Sequence, residues 1–166
     1  MKKRTIVILL ALLGTIGCDQ AVKQVAERVL DHGSPRSLVG GIARLHLVEN
    51  QGGFLGLGAT LSPTLRFWLF TVATGVLLLA LALWMTVQKP QTYSETVAGA
   101  LIVAGGLSNL WDRVTRDGRV IDFLNFGVGN VRTGILNVAD LAITLGAAVL
   151  LWRALRAGAS MRARRG

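Results

Sequence analysis

At 166 residues, 52% of them hydrophobic and only 16% charged, the chain is too apolar for a soluble domain of its size and has room for one compact unit. The net charge of +9 would suit nucleic acid in a soluble protein, but the basic residues are dispersed and no aromatic or glycine-rich nucleic-acid motif accompanies them. No nucleic-acid partner is expected; membrane orientation and lipid headgroups account for the charge.

In chain order, four stretches read as spans. Residues 5–22 are apolar as far as Gly17 and are then interrupted by Asp19 and Gln20, while residues 67–87 carry no charge. Both approach the roughly 20 residues a helix needs to cross. Residues 96–111 are uncharged and end at Asp112; residues 134–152 hold Asn137 and Asp140. Lys2, Lys3 and Arg4 precede the first span and Lys89 sits between the second and third. Arg153, Arg156, Arg162, Arg164 and Arg165 follow the fourth, with Glu95 the single acid among them. This bias places both termini in the cytoplasm. The connections at about 23–66 and 112–133 carry nearly balanced charge and belong outside.

Those outer connections look partly extended. Residues 120–126 are β-branched and aromatic with Gly118, Gly127 and Gly129 as boundaries, and Leu45 and Leu47 alternate with Arg44 and His46 in residues 42–50. The expected architecture is an all-α integral membrane protein of one domain, residues 1–166. It has four transmembrane helices and a small β-rich extracytoplasmic subdomain, with His46 a solvated or interfacial strand residue. Asn50 opens a stretch containing Gly52, Gly53, Gly56 and Gly58, which suits close backbone approach, a mobile flap or a plain flexible loop.

This topology brings four of the nine acids to one membrane face: Asp19, Asp112, Asp122 and Asp140. Asp140 is expected six residues into its span, on the order of 9 Å below the start at 1.5 Å per residue. Each alone reads as a helix cap or an interfacial residue. Together they read as functional, because a carboxylate in or beside a bilayer is costly and two that meet suit acid/base chemistry. Asn109 and Asn137 each precede an aspartate by three residues, which places amide and carboxylate on one helical face. Arg113 is a planar donor for a carboxylate or lipid phosphate, or equally an interfacial anchor. The glycines at 105 and 106 and the small residues at 146–148 suit close helix packing in lipid.

Other readings compete. The stretch ending Thr15-Ile16-Gly17-Cys18 looks somewhat like a leader with a lipobox, but Thr15 stands where leucine is expected and three further spans follow. A small proton-coupled transporter would also use membrane aspartates. It predicts acids spread through the membrane depth, whereas here the inner halves of the spans carry none apart from Glu95.

At these residues the chain resembles the lipoprotein signal peptidases, or signal peptidase II. The matching blocks are Asp19-Gln20 with Lys23, Asn50 with Gly52, GGLSNLWDR at 105–113, GRVIDFLNF at 118–126 and LNVADLAI at 136–143. The resemblance covers essentially the whole chain. It implies an aspartic endopeptidase of the bacterial cytoplasmic (inner) membrane that removes the signal peptide of prolipoproteins, cutting just before a diacylglyceryl-modified cysteine, with its active site on the extracytoplasmic face. It further implies Asp122 and Asp140 as the catalytic dyad. Asp19, Lys23, Asn50, Gly52, Asn109, Asp112, Arg113 and Asn137 are supporting or substrate-binding positions, no metal or cofactor is needed, and globomycin inhibits. Two departures stand out: Gly53 and Phe54 shift the usual register of the Asn50 loop, and Ser108 replaces a common glycine.

Overall fold

The computed structural model describes residues 2–88 and 92–163. Lys89, Arg164 and Arg165, which entered the orientation argument, lie outside the described residues. The elements in order are α1 (Lys2–Val29), β1 (Arg36–Leu38), β2 (Ala43–Asn50), α2 (Pro63–Arg66), a π-helical stretch (Phe67–Ala73), α3 (Thr74–Gln88), α4 (Tyr93–Thr115), β3 (Val120–Val128), β4 (Val131–Arg132) and α5 (Val138–Ala163). The chain is mostly helical, and α2, the π stretch and α3 form one rod.

Among the described residues, three helices are long and apolar enough to cross a membrane: Lys3–Val29, Pro63–Val87 and Val138–Ala159. The expected third span behaves differently. Helix α4 packs against α1, α3 and α5, so it is walled by protein and can carry Ser108, Asn109 and Asp112 as buried residues. Its other buried positions are mostly small, among them Ala98, Gly99, Ala104, Gly105 and Gly106. A side-chain carbon on Gly105 would lie 2.5 Å from the Ala139 carbonyl, and one on Gly146 would lie 2.5 Å from that of Ala98. The small residues therefore let the α4 and α5 backbones touch, as expected from the sequence.

Local signals set the helix ends. Helix α4 opens on a capping box in which Thr92 and Glu95 satisfy each other's backbone N–H groups. It closes where Asp117 and Gly118 take positive φ (51° and 82°) and turn the chain toward β3. Ser62 caps α2, with Pro63 at its first position.

Several boundaries correct the sequence expectation. Helix α1 continues seven residues past the expected end at 22, because Val22, Ala26 and Leu30 pack on the sheet residues Leu47, Ile121 and Phe123 and make the extra turns part of a core. Asp112 lies inside α4 rather than at its exit. Helix α5 begins at Val138, not 134, so Asp140 stands in its first turn instead of six residues deep. The two strands expected near 42–50 and 120–126 are β2 and β3, which pair antiparallel. Strands β1 and β4 extend them to a four-stranded sheet in the order β1-β2-β3-β4. Between Leu45 and Val48, two residues of β2, His46 and Leu47, face the single residue Phe123 of β3, a bulge that holds half-buried His46 and realigns the strand so that Val48 pairs Asp122.

Candidate active site

Asp122 comes from β3 and Asp140 from the first turn of α5, brought together where the sheet meets the bundle. Strand β3 is buried from Val120 to Phe123, so Asp122 enters an interior and is only 1% exposed. Asn137 caps α5: its Oδ1 accepts from the Asp140 backbone N–H at 2.8 Å, and Asp140 Oδ2 accepts from the Asn137 backbone N–H at 3.3 Å. Asp140 is thus the acidic member of a capping box, and the macrodipole of α5 favours a negative charge there.

The side-chain amide of Asn137 joins the two acids. Its Nδ2 donates to Asp122 Oδ1 at 2.7 Å and to Asn109 Oδ1 at 3.0 Å. Asn109 Nδ2 donates to Asp140 Oδ1 at 2.9 Å, and Asn50 Nδ2 donates to Asp122 Oδ2 at 2.9 Å. Each carboxylate therefore receives two donors and retains lone pairs for a water or a substrate. For Asn137 the i,i+3 contact with the Asp140 carboxylate is made by the backbone N–H, while the side-chain amide N–H serves Asp122. The i,i+3 expectation fails for Asn109, whose amide serves Asp140 across the helix interface instead of Asp112. Burial, and secondly the negative charge of Asp140, push the Asp122 carboxyl from 3.8 up to about 7 against the pull of Asn50 and Asn137.

Behind this pair lies a second polar layer. Lys23 is 0% exposed and its Nζ lies 2.6 Å from Asp19 Oδ2 and 2.8 Å from Asp112 Oδ2. It also donates to Asn109 Oδ1 at 3.1 Å. Lysine has no acceptor, so it fixes which way the Asn109 amide faces and turns its N–H toward Asp140. Asp19 further accepts from the Ala139 backbone N–H at 2.8 Å and Ser108 Oγ at 2.7 Å, and Asp112 accepts from Ile121 N at 3.2 Å and Gln20 Nε2 at 2.9 Å. Asp19 and Asp112 thus hold the backbone on either side of the pair and do not touch it. Ser108 and Gln20, which the sequence reading named without a role, are hydrogen-bonding members of this layer. Their signal was a polar side chain in an otherwise apolar helix.

The Asn50 segment covers the site. Asn50 Oδ1 accepts from Gly52 N–H at 2.8 Å, a local turn that aims the amide at Asp122. Gly52 cannot carry a side chain, since a Cβ there would lie 2.5 Å from the Leu57 carbonyl oxygen. Arg113 does not bond either aspartate. Its Nη2 donates to the Gly52 carbonyl at 2.8 Å and its guanidinium stacks 5.9 Å from the Phe70 ring centre, so it fastens this loop to the bundle. A cavity of about 480 Å³ opens between loop and helices, with Phe54, Phe70, Ile143 and Ala147 as apolar walls and Asn109, Asp122 and Asp140 at its polar end.

A buried, hydrogen-bonded pair of carboxyls beside a largely apolar cavity is an arrangement for acid/base chemistry on a lipophilic chain. Residues 10–156 match the family described as signal peptidase (SPase) II. The chain belongs to the signal peptidase II family. A lipoprotein signal peptidase from Desulforapulum autotrophicum is 36% identical over 138 residues, 82% of this chain and 84% of that protein. Another, from Sphingopyxis alaskensis, is 41% identical over 111 residues, 66% of this chain and 62% of that protein, so there the match spans less than two thirds of the relative. A solved bacterial membrane enzyme, determined by the in meso method, superposes with a TM-score of 0.78 at 25% identity and covers 90% of this chain and 87% of its own. As a signal peptidase II family member the protein is a protease, and the transporter reading falls.

Proposed function

We propose that Asp122 and Asp140 are the catalytic dyad of an aspartic endopeptidase that cuts diacylglyceryl-modified prolipoproteins just before the lipidated cysteine. The observation that carries this reading is Asn137, whose side-chain Nδ2 donates to Asp122 while its Oδ1 caps the Asp140 backbone N–H and its own backbone N–H donates to the Asp140 carboxyl, so that two carboxyls from different elements are held at one cavity. Two such groups share a proton. The ionised member takes a proton from water, the protonated member hydrogen-bonds the scissile carbonyl, and water attacks to give a tetrahedral intermediate without an acyl-enzyme; its collapse breaks the C–N bond as the carboxyl that took the proton passes it to the leaving amine. Asn50, Asn109 and Asn137 orient the pair. Lys23, Asp19 and Asp112 brace it from behind, and Arg113 with Gly52 holds the covering loop.

The whole chain is read as one membrane-embedded domain of four spans, with α4 the protein-enclosed one, both termini cytoplasmic and the sheet outside. In this orientation the site lies at the extracytoplasmic face of the inner membrane, next to lipid. The lipidated cysteine then keeps its acyl chains in the bilayer while its peptide bond reaches the dyad. Globomycin is expected to inhibit.

The test is cleavage of a purified diacylglyceryl-modified prolipoprotein in detergent, with an unlipidated control. Wild type should cut only the lipidated form, and Asp122→Asn and Asp140→Asn should each lose at least about 10³-fold in kcat while staying folded. Variants that cut as well as wild type would make the aspartates structural.

A further inference from the structure

Within residues 67–70, Phe70 is the one that turns inward: Phe67, Trp68 and Leu69 are exposed, whereas Phe70 is half-buried. It stands in the middle of the π-helical stretch, a rare form of turn that occurs mostly at functional sites. Its ring lines the cavity of about 480 Å³, and the Asn50 loop meets it with two glycines. A Cβ on Gly53 would lie 2.9 Å from Phe70 Cε1, and one on Gly58 would lie 2.8 Å from Phe70 Cζ. The obstacles differ. At Gly53 the three nearest atoms all belong to the Phe70 ring and the φ of −87° is open to residues with side chains, so the ring alone keeps the position bare. Gly58 has a φ of +73°, which strains a side chain whatever the space.

Gly53 in turn sets the aim of Asn50. The Asn50 Nδ2 donates to the Gly53 carbonyl at 2.9 Å and to Asp122 Oδ2 at 2.9 Å, while Asn50 Oδ1 accepts from the Gly52 N–H at 2.8 Å. Two acceptors use both hydrogens of the amide, so it cannot turn without losing a bond. The Gly53 carbonyl also accepts from the Gly56 N–H at 3.0 Å, and the Gly53 N–H donates to the Leu57 carbonyl at 2.7 Å, which makes residues 53–57 one hydrogen-bonded turn. A displacement of that turn reaches Asp122 through a single side chain.

We infer that Phe70 is a positioning residue for the cleavage proposed above, on which this inference rests: its ring is the post against which Gly53 is seated, and through Gly53 it aims the Asn50 amide at Asp122. Asp140, Lys23 and Arg113 also act on Asp122 by charge, from α5, α1 and α4, and none of them is on the loop. The Asn50 bond favours the ionised form of Asp122. A loop pushed off its post therefore raises the Asp122 carboxyl further and carries the alkaline fall of the rate to higher pH. A change that only loosens the fold leaves that limb where it was.

The experiment measures kcat against pH for cleavage of a diacylglyceryl-modified prolipoprotein in detergent, with thermal unfolding of each protein, for wild type, Gly53→Ala, Phe70→Leu and the double variant. Gly53→Ala should lower kcat near neutral pH at least about tenfold and move the alkaline limb up by on the order of one pH unit, as Asn50→Ala should also do. In the Phe70→Leu background the same alanine should change kcat by less than about twofold, because its methyl group enters space the ring has left. Gly58→Ala should gain no such relief, since its backbone strain remains. Phe70→Leu alone should lower kcat several-fold and move the limb the same way, which decides the matter even where Gly53→Ala does not fold. No loss from Gly53→Ala, an equal loss in both backgrounds, or lower turnover in Phe70→Leu with the limb unmoved overturns the role of Phe70 and leaves the dyad standing. A wild type that cleaves no lipidated prolipoprotein brings down the dyad reading, and this inference with it.

Discussion

At Asp122, burial and the neighbouring Asp140 work against the carboxylate charge. With its carboxyl raised from 3.8 to about 7, the folded protein holds a proton that the unfolded chain has released across that interval, so stability falls as pH rises from about 4 to about 7. The full shift corresponds to about 4 kcal/mol at pH 8. Asp122→Asn removes this cost but leaves only one acceptor oxygen for the two donors Asn50 and Asn137, a loss of about 1–3 kcal/mol. The gain exceeds the loss at pH 8 and no longer does so at pH 5. The variant should therefore melt above wild type at pH 8 and at or below it at pH 5, as thermal unfolding in detergent would record. Catalysis by the wild type should fall about tenfold per pH unit above about 7, as the shared proton leaves. A flat rate to pH 9 would show that the proton on this pair is not used.

At the scale of elements, the first turn of α5 is set by backbone contact with α4, which makes glycine the decisive residue at two places. Gly105 faces the Ala139 carbonyl, next to Asp140, and Gly146 makes the equivalent contact with the Ala98 carbonyl two turns farther along α5. A methyl group at either site must push the helices apart, at about 1–3 kcal/mol. Gly105→Ala should also lower kcat, by about tenfold or more, because it shifts the turn that carries an aspartate; Gly146→Ala should lower stability alone. Parallel melting curves and turnover separate the two, and equal loss of kcat would contradict it. Much of this was legible in the sequence: hydropathy located the rods, and the small residues at 105, 106 and 146 announced the close packing. The core strands were legible as well, since Val120 to Phe126 and Ala43 to Asn50 carry the alternation or β-branching of buried sheet. Periodicity could not show that α1 runs past residue 22, because those turns are apolar toward a sheet formed by distant segments. It also could not place Asn109 against Asp140 or Arg113 against Gly52, which depend on helix rotation and loop path. Strands β1 and β4, of three and two residues, are too short to carry a pattern at all.

At the scale of the molecule, Lys23 is the point through which the parts are joined. It stands on α1, its two carboxylate partners are on α1 and α4, and through them it reaches the Ala139 backbone of α5 and the Ile121 backbone of β3. The charges do not balance locally: one ammonium faces two carboxylates, and Arg116, 3.9 Å from Asp112, adds a second cation from the rim. Attraction within so dry a cluster is offset by the cost of removing every group from water, so the network need not make the protein more stable than an apolar core would. Removing one member is different, because it strands the rest. Lys23→Met keeps the length and apolar stem of the side chain but leaves Asp19 and Asp112 as adjacent buried acids, at a cost of about 3–5 kcal/mol. It also removes one of the two donors that hold the Asn109 oxygen away from Asp140, leaving Asn137 Nδ2 alone to do so, and loosens the amide. Protein that remains folded should therefore be slower as well as less stable. Adding Asp19→Asn and Asp112→Asn should recover much of the stability, by neutralising the stranded acids, without restoring kcat. Recovery of both together would mean that the cluster is only a brace and that Lys23 plays no part in aiming the amide at Asp140.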